Sequence, residues 1–152
     1  MTKFEIYEFI KRPPQDVFDY FSNPANLAEW QSNTEYAEWV SSGDPGVGSK
    51  FKVVTMYGGS PTEVLLQITI WDRPSCYAFR SIDTPFPLKR LEGVTTLTPK
   101  DNGTHLVFKG QIALSSFFKL GESLISKQAI QQDGSNIILM KQVLEAGYSL
   151  SM

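Results

Sequence analysis

Between residues 35 and 114 the chain alternates six strand-like stretches with five short turn clusters, and no other feature limits its possible folds so strongly. The stretches are EYAEWVS, SKFKVVTMY, TEVLLQITIW, SCYAFRSI, LKRLEGVTTLT and THLVFKGQIAL. The clusters are GDPGVG (43–48), GGSP (58–61), DRPS (72–75), DTPFP (83–87) and KDNGT (100–104), built from the residues that turns demand. A parallel neighbour needs a crossover of a dozen residues or more, which none of these links supplies, so the strands meander antiparallel. Asp101-Asn102-Gly103 is a strong hairpin signal, because Asn and Gly accept positive φ at little cost. FEIYEFI (4–10) alternates as well, with Phe4, Ile6 and Glu8 on one side, and makes seven strands.

Helix signals bracket this sheet. Pro13 and Pro14 stop the first strand and pre-set a helical turn, after which Val17, Phe18, Tyr20 and Phe21 give a short helix with an apolar side. In FSNPANLAEW, Asn23 is a good N-cap and Pro24 suits the first helical position, so a second helix over roughly 24–30 starts where the first ends. Leu27 and Trp30 share its face. After residue 114, Ile125, Ala129, Ile130, Ile137, Met140 and Leu144 recur at helical spacing. Ser115 or Ser116 is the expected cap and Gly147 the expected stop, giving about 30 residues, or roughly 45 Å, enough to cross a small sheet. Asp133-Gly134 is the weak point, where a kink or break is expected.

A chain of 152 residues with 41 % apolar and 20 % charged residues is read as one globular domain over 1–152. Its net charge of −2, with both signs scattered, offers no basic footprint for a nucleic acid. MTKFEIYEFI has no apolar core of a signal peptide, and no run of 18 apolar residues exists to span a bilayer, so a cytoplasmic address is expected. Cys76 alone cannot form an intrachain disulfide or a zinc site, and His105 alone cannot build a multi-histidine metal site or meet an evident nucleophile. GDPGVGSK lacks P-loop spacing. No metal and no cofactor are therefore expected.

The order strand, two short helices, six antiparallel strands and one long helix resembles the helix-grip fold of the START-like (SRPBCC) superfamily, especially its polyketide cyclase/dehydrase-like group. PPQDVFDYFSNPANLAEW is similar to that group's first signature: Pro, then Val-Phe, then a helix ending before Asn-Pro, then Leu and Trp. GVGSKFKV, WDRPSCYAFRS, LTPKDNGTHLVFK and LMKQVLE resemble its later turns, hairpins and helix end, in the right order over nearly the whole chain. The resemblance implies an α+β domain in which a curved seven-stranded antiparallel sheet clasps the C-terminal helix around a cavity. It implies a small or medium hydrophobic ligand, such as a lipid, polyketide or isoprenoid-like compound, with a cyclase or dehydrase as the alternative and a non-catalytic protein-interaction module as the third reading.

Alternation then assigns the faces. Expected inward are Phe51, Val53 and Thr55; Val64, Leu66, Ile68 and Ile70; Tyr77 and Phe79; Leu91, Gly93, Thr95 and Leu97; and Leu106, Phe108, Gly110 and Ile112. Arg80, Arg90, Glu92, His105 and Lys109 point out. Trp39 and Val40 are adjacent, so one of them must face away. Gly93 and Gly110 either make room for a ligand or bend the sheet. The expected cavity wall is completed by Trp30 and, from the helix, Ile130, Asp133 and Ile137, with Tyr77, Thr95 and Asp133 orienting the ligand. Asp133 is the one candidate acid or base, a solvated residue beside a helix bend being the plainer account. Phe117, Phe118, Leu120 and Leu124 read as core packing or a homodimer contact ahead of a lid or membrane-touching edge.

Overall fold

The computed structural model describes residues 2–57, 60–85, 88–115 and 119–147. Its strands are β1 (Thr2–Ile10), β2 (Thr34–Trp39), β3 (Lys50–Tyr57), β4 (Ser60–Asp72), β5 (Cys76–Asp83), β6 (Leu88–Lys100) and β7 (Gly103–Leu114). They form one seven-stranded sheet in the order β1-β7-β6-β5-β4-β3-β2, with every pairing antiparallel. The helices are α1 (Pro14–Phe21), α2 (Leu27–Trp30) and α3 (Lys119–Glu145), and a 3₁₀ turn, Pro24–Asn26, precedes α2.

The β6–β7 turn shows how local chemistry sets this register. Asp101 and Asn102 take φ of 50° and 62°, the paired left-handed conformation of a tight hairpin. Gly103 is needed for a different reason: a Cβ there would lie 2.6 Å from the Ile10 carbonyl oxygen. The expected helix 24–30 divides in two because Asn26 and Leu27 donate to Asn23 and Pro24 over three residues, which is 3₁₀ geometry. Asn23 does cap it, its Oδ1 accepting the Ala25 N–H at 3.1 Å.

One row of the sheet's inner face runs Trp71, Tyr77, Thr95, Phe108, Ile6 from strand to strand, and the next runs Ile68, Phe79, Gly93, Gly110, Phe4. Gly93 and Gly110 face each other across β6 and β7. Aromatic rings from adjoining strands fill the space they leave: Phe79 and Phe108 would lie within 2.9 Å of a Cβ at Gly93, and the Phe4 ring would clash with one at Gly110. The glycines therefore seat phenylalanines rather than leave room for a ligand.

Ile70 is a correction. It is 40 % exposed, because a register shift between Ile68 and Ile70 reverses the alternation and hands the inward place to Trp71. Trp39 packs on the core while Val40 faces solvent, which resolves the ambiguity at the end of β2. Ser115 is a second correction: its hydroxyl is buried without a partner and caps nothing, and Ser116 lies outside the described residues. A single helix runs through Asp133 and Gly134 without a break. Gly147, with φ of +90°, follows its end as expected.

Candidate functional site

The site is built from the inner face of the sheet, α2 and the middle of α3. Phe21 stacks on Trp30 with ring centres 5.3 Å apart and meets Tyr77 edge-on, so the short helices carry the indole to the Tyr77–Thr95 row. Phe51, Leu66 and Ile68 are buried on one side of that row, and Leu97, Phe108 and Ile112 on the other. Val53, Phe79 and Leu91 are partly buried against the same core. From α3, Ile137 is buried, and Asp133 and Ile130 are half-buried one and two turns upstream on the same stripe.

Within this apolar region two polar atoms stand without hydrogen-bond partners, Trp30 Nε1 and Thr95 Oγ1. An unmet buried donor or hydroxyl costs about 1–3 kcal/mol, so their combination in one core is not neutral to folding. Burial also raises the Asp133 carboxyl from 3.8 to about 6 and pushes the Tyr77 phenol above its ordinary range. Asp133 is thus partly withdrawn from water, its side chain half-buried on the stripe that continues to Ile137. Its neighbours differ: Gln132 Nε2 donates to Ser32 Oγ at 2.7 Å and to Asn136 Oδ1 at 3.0 Å, while Asn136 Oδ1 also accepts the Ser32 N–H. Those two amides tie α3 to the segment after α2. The sequence showed them as polar positions in the stripe but gave no sign of this bridge.

His105 lies on the outer face, half-buried, stacked on Tyr7 at 6.3 Å. Cys76 is partly buried, and burial raises its thiol, which leaves it a poor nucleophile. Leu124 is 64 % exposed, so it is not core packing; Phe117 and Phe118 lie outside the described residues, as does the Leu120 side chain. Among the described residues, no three His, Cys, Asp or Glu side chains gather as a metal site, and no helix is long and apolar enough to cross a membrane.

Solved structures share this architecture. TTHA0849 from Thermus thermophilus superposes with a TM-score of 0.80 at 21 % identity, over 97 % of this chain and 100 % of that one. Ara h 8.0201 gives 0.72 at 18 % identity, over 94 % and 97 %. The di-domain ARO/CYC BexL from the BE-7585A biosynthetic pathway gives 0.77 at 14 % identity, over 95 % of this chain and 47 % of that one. At such identities the likeness establishes the helix-grip fold alone. No curated protein sequence matches the chain. A family model does, over residues 1–138, and by that match the chain belongs to the family described as polyketide cyclase/dehydrase and lipid transport.

Proposed function

We propose that the protein holds a small hydrophobic molecule between the sheet and α3, and that this molecule carries at least one oxygen. The carrying observation is the pair of unpartnered buried atoms. Trp30 Nε1 is only a donor, so its natural complement is an acceptor such as a carbonyl, hydroxyl or phenol oxygen. Thr95 Oγ1 can donate or accept, and Tyr77 stands beside it on β5. The surrounding rings and aliphatic chains supply the apolar area that drives binding, about 25 cal/mol per Å² before ordering costs. Membership of a family whose description includes lipid transport supports the same reading.

Native mass spectrometry of protein purified from its host tests it. A non-covalent, apolar, oxygen-bearing adduct is expected, and adding it back to stripped protein should shift the Trp30 indole N–H resonance. Protein of bare mass whose Trp30 signal ignores every host lipid extract would end the proposal.

A cyclase or dehydrase reading has one observation of its own. A carboxyl at about 6 can donate or accept a proton near neutral pH, and Asp133 lies one helical turn before the buried Ile137. Asp133 would then move a proton at a carbonyl-bearing chain that the pocket holds folded. Under that reading Asp133→Asn keeps ligand binding and loses turnover; under the carrier reading it changes neither by more than a few-fold.

A further inference from the structure

On the other side of the aromatic cluster lies a separate recess, open to solvent, of about 230 Å³. Asp19, Ser22, Asn23, Trp39, Pro45 and Trp71 line it. We infer that it binds a single sugar ring, free or as the glycosyl part of a larger molecule.

The size excludes a drug-sized ligand, for which pockets begin at roughly 300 Å³, and suits one six-membered ring. The walls are two indoles whose centres are 6.3 Å apart and whose planes meet at 62°. A flat aromatic ring can stack on only one wall of such a wedge, whereas a puckered ring presents apolar C–H faces to both. Neither indole N–H has a hydrogen-bond partner among the described residues, and each is a donor only. Ser22 is 4 % exposed, lines the recess, and its hydroxyl is likewise unpartnered there. Asn23 spends its oxygen on the Ala25 N–H and keeps its amide donors.

Charge decides the rest. The Asp19 carboxylate is already held by Arg73, whose Nε and Nη2 reach its two oxygens at 2.7 Å each. A cation would compete with that guanidinium and an anion would be repelled by the carboxylate, so the occupant is neutral. A purely apolar occupant would leave Ser22 and both indole N–H groups unmet. A neutral ring with hydroxyls around its rim and C–H groups on its faces meets all of these demands.

The three tryptophans make the test specific. Protein with ¹⁵N-labelled indoles is titrated with methyl glucopyranoside and methyl mannopyranoside, and with cyclohexylmethanol as an apolar ring of similar size. Saturable shifts at Trp39 and Trp71 with none at Trp30 are expected, together with a clearly weaker response to cyclohexylmethanol. Ser22→Ala should weaken sugar binding about three- to tenfold, the loss of one neutral hydrogen bond, without disturbing the rest of the spectrum. Trp39→Leu should abolish it. Shifts that grow without a plateau, an equal response to cyclohexylmethanol, or indifference to Ser22→Ala would overturn the inference. An aryl glucoside binding tenfold tighter than the methyl glucoside assigns the glycosyl part of a larger molecule; equal affinity assigns a free sugar. Trp71 adjoins Tyr77 and senses both places, but Trp30 reports the interior and Trp39 the recess, so either site can fail without the other.

Discussion

The two halves of α3 obey different rules. Downstream of Asn136 the helix is sealed: Ile137 is 3 % exposed, and Met140 and Leu144 not at all. Polar groups lock the same end to β1. Lys141 Nζ donates to the Phe9 carbonyl at 2.6 Å and to Glu8 at 3.2 Å, and Glu145 accepts the Lys11 N–H at 2.8 Å. Arg12 donates to the Leu144 carbonyl at 2.7 Å, satisfying one of the acceptors a helix end leaves open. Upstream, Leu124, Lys127 and Gln128 are exposed, and Ile130 and Asp133 only half-buried. One helix therefore combines a sealed anchor and a more exposed wall. Stability resides in the first, and the desolvated carboxyl belongs to the second.

Truncation at the anchor should have the largest effect. Met140→Ala removes a fully buried side chain and is expected to cost about 2–5 kcal/mol, seen as a lower denaturant midpoint with unchanged slope. A loss below about 1 kcal/mol would erase the distinction between the halves.

Asp133→Asn should act in the opposite direction and only at higher pH. The folded carboxyl titrates near 6 and the unfolded one near 3.8, so the native state keeps a proton that the unfolded chain releases. The contribution of Asp133 to stability is therefore greatest below about pH 4 and is lost as pH rises through 6. The difference corresponds to about 3 kcal/mol at most by pH 7, which the Asn variant regains. Denaturation at pH 4 and pH 7 checks it: the variant should gain at pH 7 and change little at pH 4. An equal gain at both would show that charge is not the cause.

The architecture was legible in the sequence because period-two and helical repeats report burial, and turn residues report reversals of the chain. The Phe4, Ile6, Tyr77 and Ile137 faces all followed from that. Ile70 did not, because a bulge leaves no mark in the pattern it interrupts. The filling of the Gly93–Gly110 gap depends on strand register, which brings Phe4 from the other end of the chain. The recess was hidden for the same reason: Asp19, Trp39 and Trp71 sit on α1, β2 and β4, and each is an ordinary surface or packing residue in its own segment. Asp133 was visible by spacing, but its desolvation depends on what the fold packs around it.

Thr95→Val tests whether the sheet side of the site carries a polar cost like that of the exposed wall. The exchange replaces an unmet buried hydroxyl by a methyl of similar size, and the unliganded protein should gain about 1 kcal/mol. Affinity for an oxygen-bearing ligand should fall several-fold in the same variant, measured by displacement of an anilinonaphthalene sulfonate probe. A gain in stability without a loss in affinity would separate Thr95 from the site.

Gly134→Ala should have the smallest effect on stability and the most direct bearing on whether the exposed wall moves. A Cβ at Gly134 meets nothing within 4 Å, so the substitution introduces no clash. Alanine is favoured over glycine in a helix interior by about 0.8–1 kcal/mol, and the variant should gain nearly that amount. The gain comes from stiffening the helix just where the anchored half passes into the exposed half. If the upstream half must yield to admit a ligand, the stiffened helix should take up the anilinonaphthalene sulfonate probe several-fold more slowly in stopped-flow mixing. It should release the probe more slowly to the same extent, leaving equilibrium affinity almost unchanged. Unaltered rates beside the expected gain in stability would mean that ligands reach the interior by a route that leaves α3 at rest.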